Sequence, residues 1–470
     1  MHYLHPSQIT FYDANVAEII QEEPEPEPVP EIEPEPVPEP EPHESSICLE
    51  RAVELFVAMD AIFDADGGYM WGVELHGPFM FADPLTRHAV ANMPDPQGFF
   101  IPQDGVYVGV LPIDVPIGHT MVSFRGLRWG MMAWENSDIF LDPYHELSVV
   151  RVMVHEVFHA WQLPLFGQTE GIPSQHLNDR LDARISALLE INALIIALQT
   201  TGDARQEAIH TALSLRGWRH ANHPGSARIE NTFQIHEGVP TYVDSVLTFG
   251  FDSAVERMSD MTIAYGLASQ SGLPIGFGYV SGELYSLVLD TIGADWRGDL
   301  RFDTGLGDVL QEAAGIEQLA QEPLSTLDLR PFGYAEIVAA ATAWYGHHQE
   351  ILSRAEENFL GTQLISVDGA GHFVSHDHLD VVMVQGLASQ FGLGTMFYGT
   401  FVHEGNFGRL YVTDGMLVLT FSQQILWYSL NATGMEIEGN RVIGRNWEIV
   451  LNDGFIVYEQ RAGNFRVVSS

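Results

Sequence analysis

The chain has 470 residues, enough for two or three domains with well-formed hydrophobic cores. It contains 63 acidic residues against 21 basic ones, all of them arginine, and its formal net charge is −42 at pH 7. Because nucleic-acid binding needs a basic surface, we expect no nucleic-acid partner. The single cysteine, Cys48, excludes an intrachain disulfide and any metal site built from several cysteines.

The sequence contains neither an apolar run long enough to span a membrane nor a recognisable signal peptide. Its first residues, MHYLHPSQITFYD, lack the basic and apolar regions of a secretory signal. We therefore expect no membrane span and, by default, a cytoplasmic location. The cell envelope or secretion stays open as an alternative if the true start lies upstream, and the sequence indicates no oligomeric state.

Residues 1–45 are predicted to lack a folded core. Within them, Glu22–Glu44 contains ten glutamates that alternate almost strictly with proline. Proline favours the extended polyproline II conformation and like charges repel, so this tract should act as a stiff spacer. A proline-rich recognition peptide is the alternative interpretation of the same composition.

Residues 46–360 are predicted to form the main domain, which begins with a helix in the stretch ICLERAVELFVAMDAIF. Four segments of strand character follow, separated by Gly, Pro, Asn and Asp: Tyr69–Leu75, Phe79–Ala82, Val106–Leu111 and Met121–Trp134. We expect these strands to form a sheet that roofs a cleft. An edge strand of such a sheet could pair with an extended peptide.

The motif that indicates chemistry lies in the next helix, Ser148–Gln162, with the sequence SVVRVMVHEVFHAWQ. His155 and His159 are four residues apart, so on a helix they share one face and can bind the same metal ion. Glu156 can then reach a water molecule at that metal. Apolar residues surround the motif on nearly all sides, so the helix should be buried. Buried imidazole and carboxylate groups need partners, and a metal ion would be one.

The rest of the chain is predicted to be helical up to about residue 360 and β-rich beyond it. The helical patterns cover Leu177–Gln199, Gln206–Arg219, Glu230–Phe249, Leu284–Ile292, Leu306–Ala314, Ala335–Trp344 and Arg354–Phe359. Residues 361–470 alternate short apolar strands with glycine turns, which indicates a small antiparallel β domain. Three histidines near its start have no frame to fix them as a second metal site: His372, His376 and His378.

A catalytic zinc site commonly has three protein ligands and leaves a fourth position for water, so a third ligand must come from elsewhere in the chain. The first candidate is Glu237, in IHEGVPTYV. The second is Glu190, which lies among apolar residues in a predicted helix. A buried ion pair with Arg184 or Arg219 is the structural alternative for Glu190, whereas Glu230 should be a surface carboxylate.

Two of these stretches resemble the gluzincin metallopeptidases, which are the thermolysin-like and aminopeptidase-like enzymes. HEVFHAWQ resembles their motif helix, and the segment at Glu237 resembles the Glu-Gly-apolar-small-x-Tyr segment that supplies their third ligand. The resemblance covers about Tyr69–Trp296. It implies an α+β fold in which a β-rich sheet lies over a mainly helical, zincin-like catalytic core.

The resemblance also implies a function, zinc-dependent hydrolysis of a peptide or protein substrate. One Zn²⁺ ion would be held by His155, His159 and Glu237, and Glu156 would be the general base for a zinc-activated water. A tyrosine would stabilise the oxyanion, with Tyr279 the first candidate and Tyr242 the second.

The chain departs from the gluzincin pattern in two places. Glu237 follows His159 by 78 positions, a gap longer than the single helix found there in many members, which predicts an inserted helical hairpin. Pro240 and Thr241 replace the usual small residue and carboxylate. These departures keep an alternative function in view, a catalytically inactive relative that binds peptide or a wall component.

Overall fold

The computed structural model describes residues 45–470 apart from 85, 113, 135–145, 168–172, 269, 271, 299, 303, 360–361, 369–370, 384–393, 414–415, 422–424 and 462. At 146, 371–383, 394–398, 416–421, 425–427 and 461 it describes the backbone alone. The predicted spacer therefore lies outside the described residues.

The first part of the fold is helix α1, Leu49–Asp66, followed by a six-stranded sheet. Its strands are β1 Phe79–Ala82, β2 His88–Ala91, β3 Ile101–Gln103, β4 Val106–Val110, β5 Thr120–Phe124 and β6 Leu127–Ala133. The spatial order is β3-β4-β2-β1-β6-β5, and all pairs are antiparallel except β1 with β6. The sheet thus ends at β5, a free edge in the described part of the chain.

Two of the strand predictions need correction. Tyr69–Leu75 is not a strand, because Gly67, Gly68 and Gly72 all have positive φ and fold this stretch into turns. The predicted strand Met121–Trp134 is instead the hairpin β5–β6. Its two-residue turn is Arg125–Gly126, where both φ angles are positive, as a type I′ hairpin turn requires.

The motif helix is α2, Glu146–Phe166, and it packs beneath the sheet. Gly130 on β6 makes this contact close, since a Cβ there would lie 2.9 Å from the carbonyl carbon of Glu156. Arg128, also on β6, donates to the carbonyl oxygens of His159 and Ala160. The sheet therefore rests directly on the residues that carry the motif.

Between α2 and residue 359 the chain is mainly helical, as predicted. The helices are α3 His176–Asp179, α4 Leu181–Gln199, α5 Gly202–Asn222, α6 Ser226–Phe233, α7 Val239–Phe249, α8 Phe251–Met258, α9 Thr262–Ala268, α10 Leu273–Thr291, α11 Leu306–Ala313, α12 Pro323–Thr326 and α13 Tyr334–Phe359. Helices α4 and α5 pack on each other and supply the predicted helical hairpin. One helix, α13, replaces the two predicted there, because Gly346 is tolerated within it. In the part of the chain that is described, no helix combines the length and apolarity of a membrane span.

A second sheet, with eleven strands among the described residues, follows α13 and has its own apolar core. Its strands are β7 Leu364–Asp368, β8 Gly371–Met383, β9 Gly394–Gly405, β10 Gly408–Val412, β11 Met416–Phe421, β12 Ile425–Asn431, β13 Glu436–Glu438, β14 Arg441–Ile443, β15 Trp447–Leu451, β16 Phe455–Arg461 and β17 Asn464–Ser469. All pairs are antiparallel except β7 with β17. With the helical core and the first sheet, this confirms the α+β class. The three histidines near its start lie on β8, where side chains are not described.

Candidate metal centre

The structure brings His155, His159 and Glu237 together at one point. Their nearest ligand atoms lie within 4.8 Å of one another. Oε2 of Glu237 is 3.3 Å from Nε2 of His155 and 3.6 Å from Nε2 of His159. Ligand atoms around a tetrahedral zinc are about 3.4 Å apart when the bonds are about 2.1 Å. Two imidazoles and one carboxylate are therefore placed where they could hold a metal ion.

Close packing of glycines fixes the position of Glu237. Residues Gln234–Gly238 form a π-helical turn between α6 and α7. A Cβ on Gly238 would lie 2.5 Å from the carbonyl oxygen of Gly278, so this turn lies against α10 at a distance that only glycine allows. The irregular turn and the close contact direct Glu237 at the two histidines, and π-turns of this kind are frequent at functional sites.

We call His155, His159 and Glu237 the cluster. Each histidine of the cluster is oriented by a partner on its Nδ1 atom. Nδ1 of His155 lies 3.0 Å from Oδ2 of Asp244, and Nδ1 of His159 lies 2.9 Å from Oε1 of Gln162. Such contacts leave Nε2 of each ring free to point at a metal. Our sequence reasoning missed both partners. Helical spacing was the available signal, since Asp244 follows Glu237 by two turns and Gln162 follows His159 by one.

Asp244 connects the cluster to a cation as well. Its Oδ1 accepts a hydrogen bond from Nε of Arg151 at 2.5 Å, while its Oδ2 faces His155. Burial lowers the pKa of His155, but the carboxylates of Asp244 and Glu237 outweigh that effect and raise it to about 10. Without metal, a proton is therefore held at the cluster and must leave when a metal ion binds.

Glu156 is buried beside the cluster with an exposed fraction of 6%. Its Oε2 has no hydrogen-bond partner among the described residues. Burial is the main reason that the pKa of Glu156 is raised, and the negative charges of Glu237 and Asp244 add to it. A carboxyl group with a raised pKa and a free oxygen suits proton transfer near neutral pH.

Tyr279, the first candidate for an oxyanion donor, lies against the cluster. Its ring stacks on that of His155 with centroids 5.9 Å apart. Burial and then the charge of Glu237 raise the pKa of the Tyr279 phenol, so its proton is retained. Tyr242, the second candidate, is fully buried, and its hydroxyl contacts Asp290 and Arg297 instead.

Two cavities flank the cluster, and Glu156 and Tyr279 line both. One has a volume of about 610 Å³ and the other about 140 Å³. The smaller is also lined by Thr120 and Met121 of the edge strand β5, and by His236 next to Glu237. The cluster thus lies in an open cleft between the edge of the sheet and the helices.

Glu190, the second candidate ligand, lies in a different part of the helical core. It forms an ion pair there with Arg219, whose Nη2 is 2.6 Å from Oε2 of Glu190. Tyr285 donates to Oε1 of the same carboxylate at 2.7 Å. All three side chains are inaccessible to solvent. Glu190 is therefore in the buried ion pair with Arg219 that the sequence offered as its structural alternative.

The interpretation of Glu230 as a surface carboxylate is wrong. Glu230 is 1% exposed and accepts two hydrogen bonds from Arg219, at 2.8 and 2.6 Å. His176 and His220 also contact its oxygens, at 2.7 and 2.9 Å. Burial disfavours the charge on Glu230, but these cationic and polar partners outweigh it and hold its pKa well below the usual range. Arg219 therefore balances two buried carboxylates.

Replacing Arg219 with methionine is expected to lower the free energy of unfolding by about 3–5 kcal/mol, because it leaves Glu190 and Glu230 buried without their shared cation. Denaturation in urea measures the change. Arg330→Met is the matched control, since Arg330 is 88% exposed and pairs with its neighbour Asp328. Equal stability of the two variants would contradict the expectation.

Comparisons of the chain with protein-family models, with curated proteins and with solved structures found no match. The resemblance to gluzincins therefore stays a prediction from the motif residues.

Proposed function

We propose that the protein is a zinc-dependent peptidase of the gluzincin type. One observation carries this proposal: His155, His159 and Glu237 converge on one point, and Glu156, whose Oε2 has no hydrogen-bond partner among the described residues, lies next to it in an open cleft. Burying a carboxylate without a hydrogen-bond partner lowers the stability of a protein, so a function for Glu156 is expected. Catalysis by a metal ion and a general base explains all four residues together.

The donor set supports zinc as the metal. Zinc in hydrolytic sites is commonly bound by two histidines and one glutamate, with a position left open. Here both imidazoles have their Nδ1 atoms engaged by Asp244 and Gln162, as ligating histidines usually do. A zinc ion bound there would supply a Lewis acid that acidifies water and polarises a carbonyl group.

The protein's own groups would then move protons and stabilise charge. Glu156 takes a proton from the attacking water and returns it to the leaving amine, which its raised pKa favours. Tyr279 keeps its phenolic proton and can donate a hydrogen bond to the oxyanion that develops on the scissile carbonyl. Both residues line the two cavities on either side of the cluster, where a substrate would extend.

The edge strand β5 offers a binding site for an extended peptide. Its register with β6, set by the turn after Phe124, directs the backbone N–H and C=O groups of Met121 and Ser123 away from the sheet. No described strand pairs with that edge. Thr120 and Met121 also line the cavity at the cluster, so a peptide paired with β5 would pass over it.

The test combines metal analysis of the purified protein with digestion of a mixed peptide library. One zinc ion per chain and cleavage that a chelator stops would support the proposal. A metal-free protein without cleavage would refute it. Zinc without turnover of any peptide would instead support the alternative, a metallopeptidase-like protein that binds peptide or a wall component.

Asp244→Asn is expected to weaken zinc binding by about 10–100-fold, because the amide cannot hold His155 and Arg151 as the carboxylate does. Competition with a chromogenic chelator measures the affinity. Asp252→Asn is the control, an exposed aspartate on the neighbouring helix α8. If Asp244→Asn and wild type bind zinc equally, Asp244 does not orient His155.

A further inference from the structure

The larger cavity beside the cluster contains two arginines for which the proposed chemistry has no role. Arg151 lies on α2, one turn before His155, and Arg257 lies near the end of α8. Both line the cavity of about 610 Å³, together with the apolar side chains of Val152 and Ile263. Their side chains are 28% and 38% exposed. They therefore face the open space of this cavity.

Each guanidinium group uses only part of its donors on the protein. Nε of Arg151 donates to Asp244, and Nη2 of Arg257 donates to Ser245 and to Glu283, the latter at 2.7 Å. Within the described part of the chain, both Nη groups of Arg151 and the Nε and Nη1 groups of Arg257 have no acceptor. Planar guanidinium groups with free donors bind carboxylates in a bidentate manner.

Four acidic side chains line this cavity, Glu156, Asp244, Asp260 and Glu283, and among them Asp244 and Glu283 bond the two arginines through one nitrogen of each guanidinium group. Asp244 is shared between Arg151 and His155. Glu283 is 2% exposed, and its burial outweighs the nearby Arg257 and raises its pKa to about 7, so it is partly uncharged near neutral pH. Asp260 lies exposed at the edge of the cavity and accepts the backbone N–H of Thr262.

We propose that this cavity binds a carboxylate of the substrate close to the scissile bond, held by Arg151 and Arg257. The inference rests on the proposed peptidase function and adds a substrate class to it. The carboxylate can be the C-terminus of the substrate, in which case the enzyme releases short C-terminal fragments. It can also be the side chain of an aspartate or glutamate within a longer chain.

Three peptides of one cleavable sequence distinguish these sources: a free C-terminal acid, its C-terminal amide, and an amide with glutamate after the scissile bond. We expect kcat/KM for at least one carboxylate peptide to exceed that for the plain amide by about tenfold or more. A preference for the acid identifies the C-terminus, and a preference for the glutamate peptide identifies the side chain. Equal values for all three would overturn the inference while the peptidase function stands.

Variants of Arg257 test the residue itself. Arg257→Gln should reduce the ratio of kcat/KM between carboxylate and amide peptides to about one, and Arg257→Lys should restore part of it. The matched control Arg330→Gln should keep the wild-type ratio. If no peptide is cleaved, the proposed function fails. Calorimetric binding of the same peptides then decides the inference: tighter binding of the carboxylate peptide to wild type than to Arg257→Gln supports it, and equal binding overturns it.

Discussion

Replacing Glu156 with glutamine is expected to lower kcat/KM for peptide hydrolysis about 1,000-fold while the bound metal is retained. Glutamine has nearly the shape of glutamate but cannot take a proton from water or return one to the leaving amine. Oε2 of Glu156 makes no hydrogen bond with the described residues, so the substitution removes no contact that supports the fold. Initial rates on a library peptide that the wild type cleaves measure the loss of kcat/KM. Metal analysis of the same sample measures how much metal is retained.

The control for Glu156→Gln is a glutamate of the same chemistry outside the cleft. Glu207 on α5 is exposed, so Glu207→Gln should keep wild-type activity and metal content. Activity within about tenfold of wild type in Glu156→Gln would exclude Glu156 as the general base. Loss of metal in Glu156→Gln would show instead that the residue supports the cluster, which is a different role from the one proposed.

The central part of the site could be predicted because it follows from helical periodicity. The spacing of His155 and His159 places both on one face of α2 whatever the rest of the fold does. The β-rich stretch before α2 and the helices after it are also local patterns, and the α+β class follows from their order. Glu237 was singled out by its resemblance to a known segment, and the structure places it at the histidines.

The rest of the site depends on contacts between distant segments, which periodicity does not report. Glu190 and Glu230 show this: each lies in a helical pattern, yet their environment is set by Arg219 from another helix. Arg257 reaches the cavity from α8, and its partners come from two other helices, Ser245 on α7 and Glu283 on α10. The strand predicted at Tyr69–Leu75 is wrong for a local reason. Its apolar residues suggested a strand, but the positive φ angles of the glycines at 67, 68 and 72 fold the backbone into turns.

Glu237→Ala is expected to reduce zinc affinity more than about 100-fold and to abolish hydrolysis, because it removes one of three ligands rather than a supporting contact. The loss should exceed that in Asp244→Asn, which leaves all three ligands in place. Zinc content after gel filtration and chelator competition measure the effect. The fold should persist, since Glu237 faces the cleft and the turn that carries it is held by the packing of Gly238 on α10.

Glu190→Ala is the decisive comparison for the third ligand. It removes a carboxylate that lies in the helical core beside Arg219 and Tyr285, so it should lower the stability of the protein and leave zinc stoichiometry unchanged. If Glu190→Ala loses zinc while Glu237→Ala retains it, the assignment of the two glutamates is reversed. If both retain zinc, the two histidines bind the metal with a ligand other than either glutamate, and the gluzincin interpretation fails.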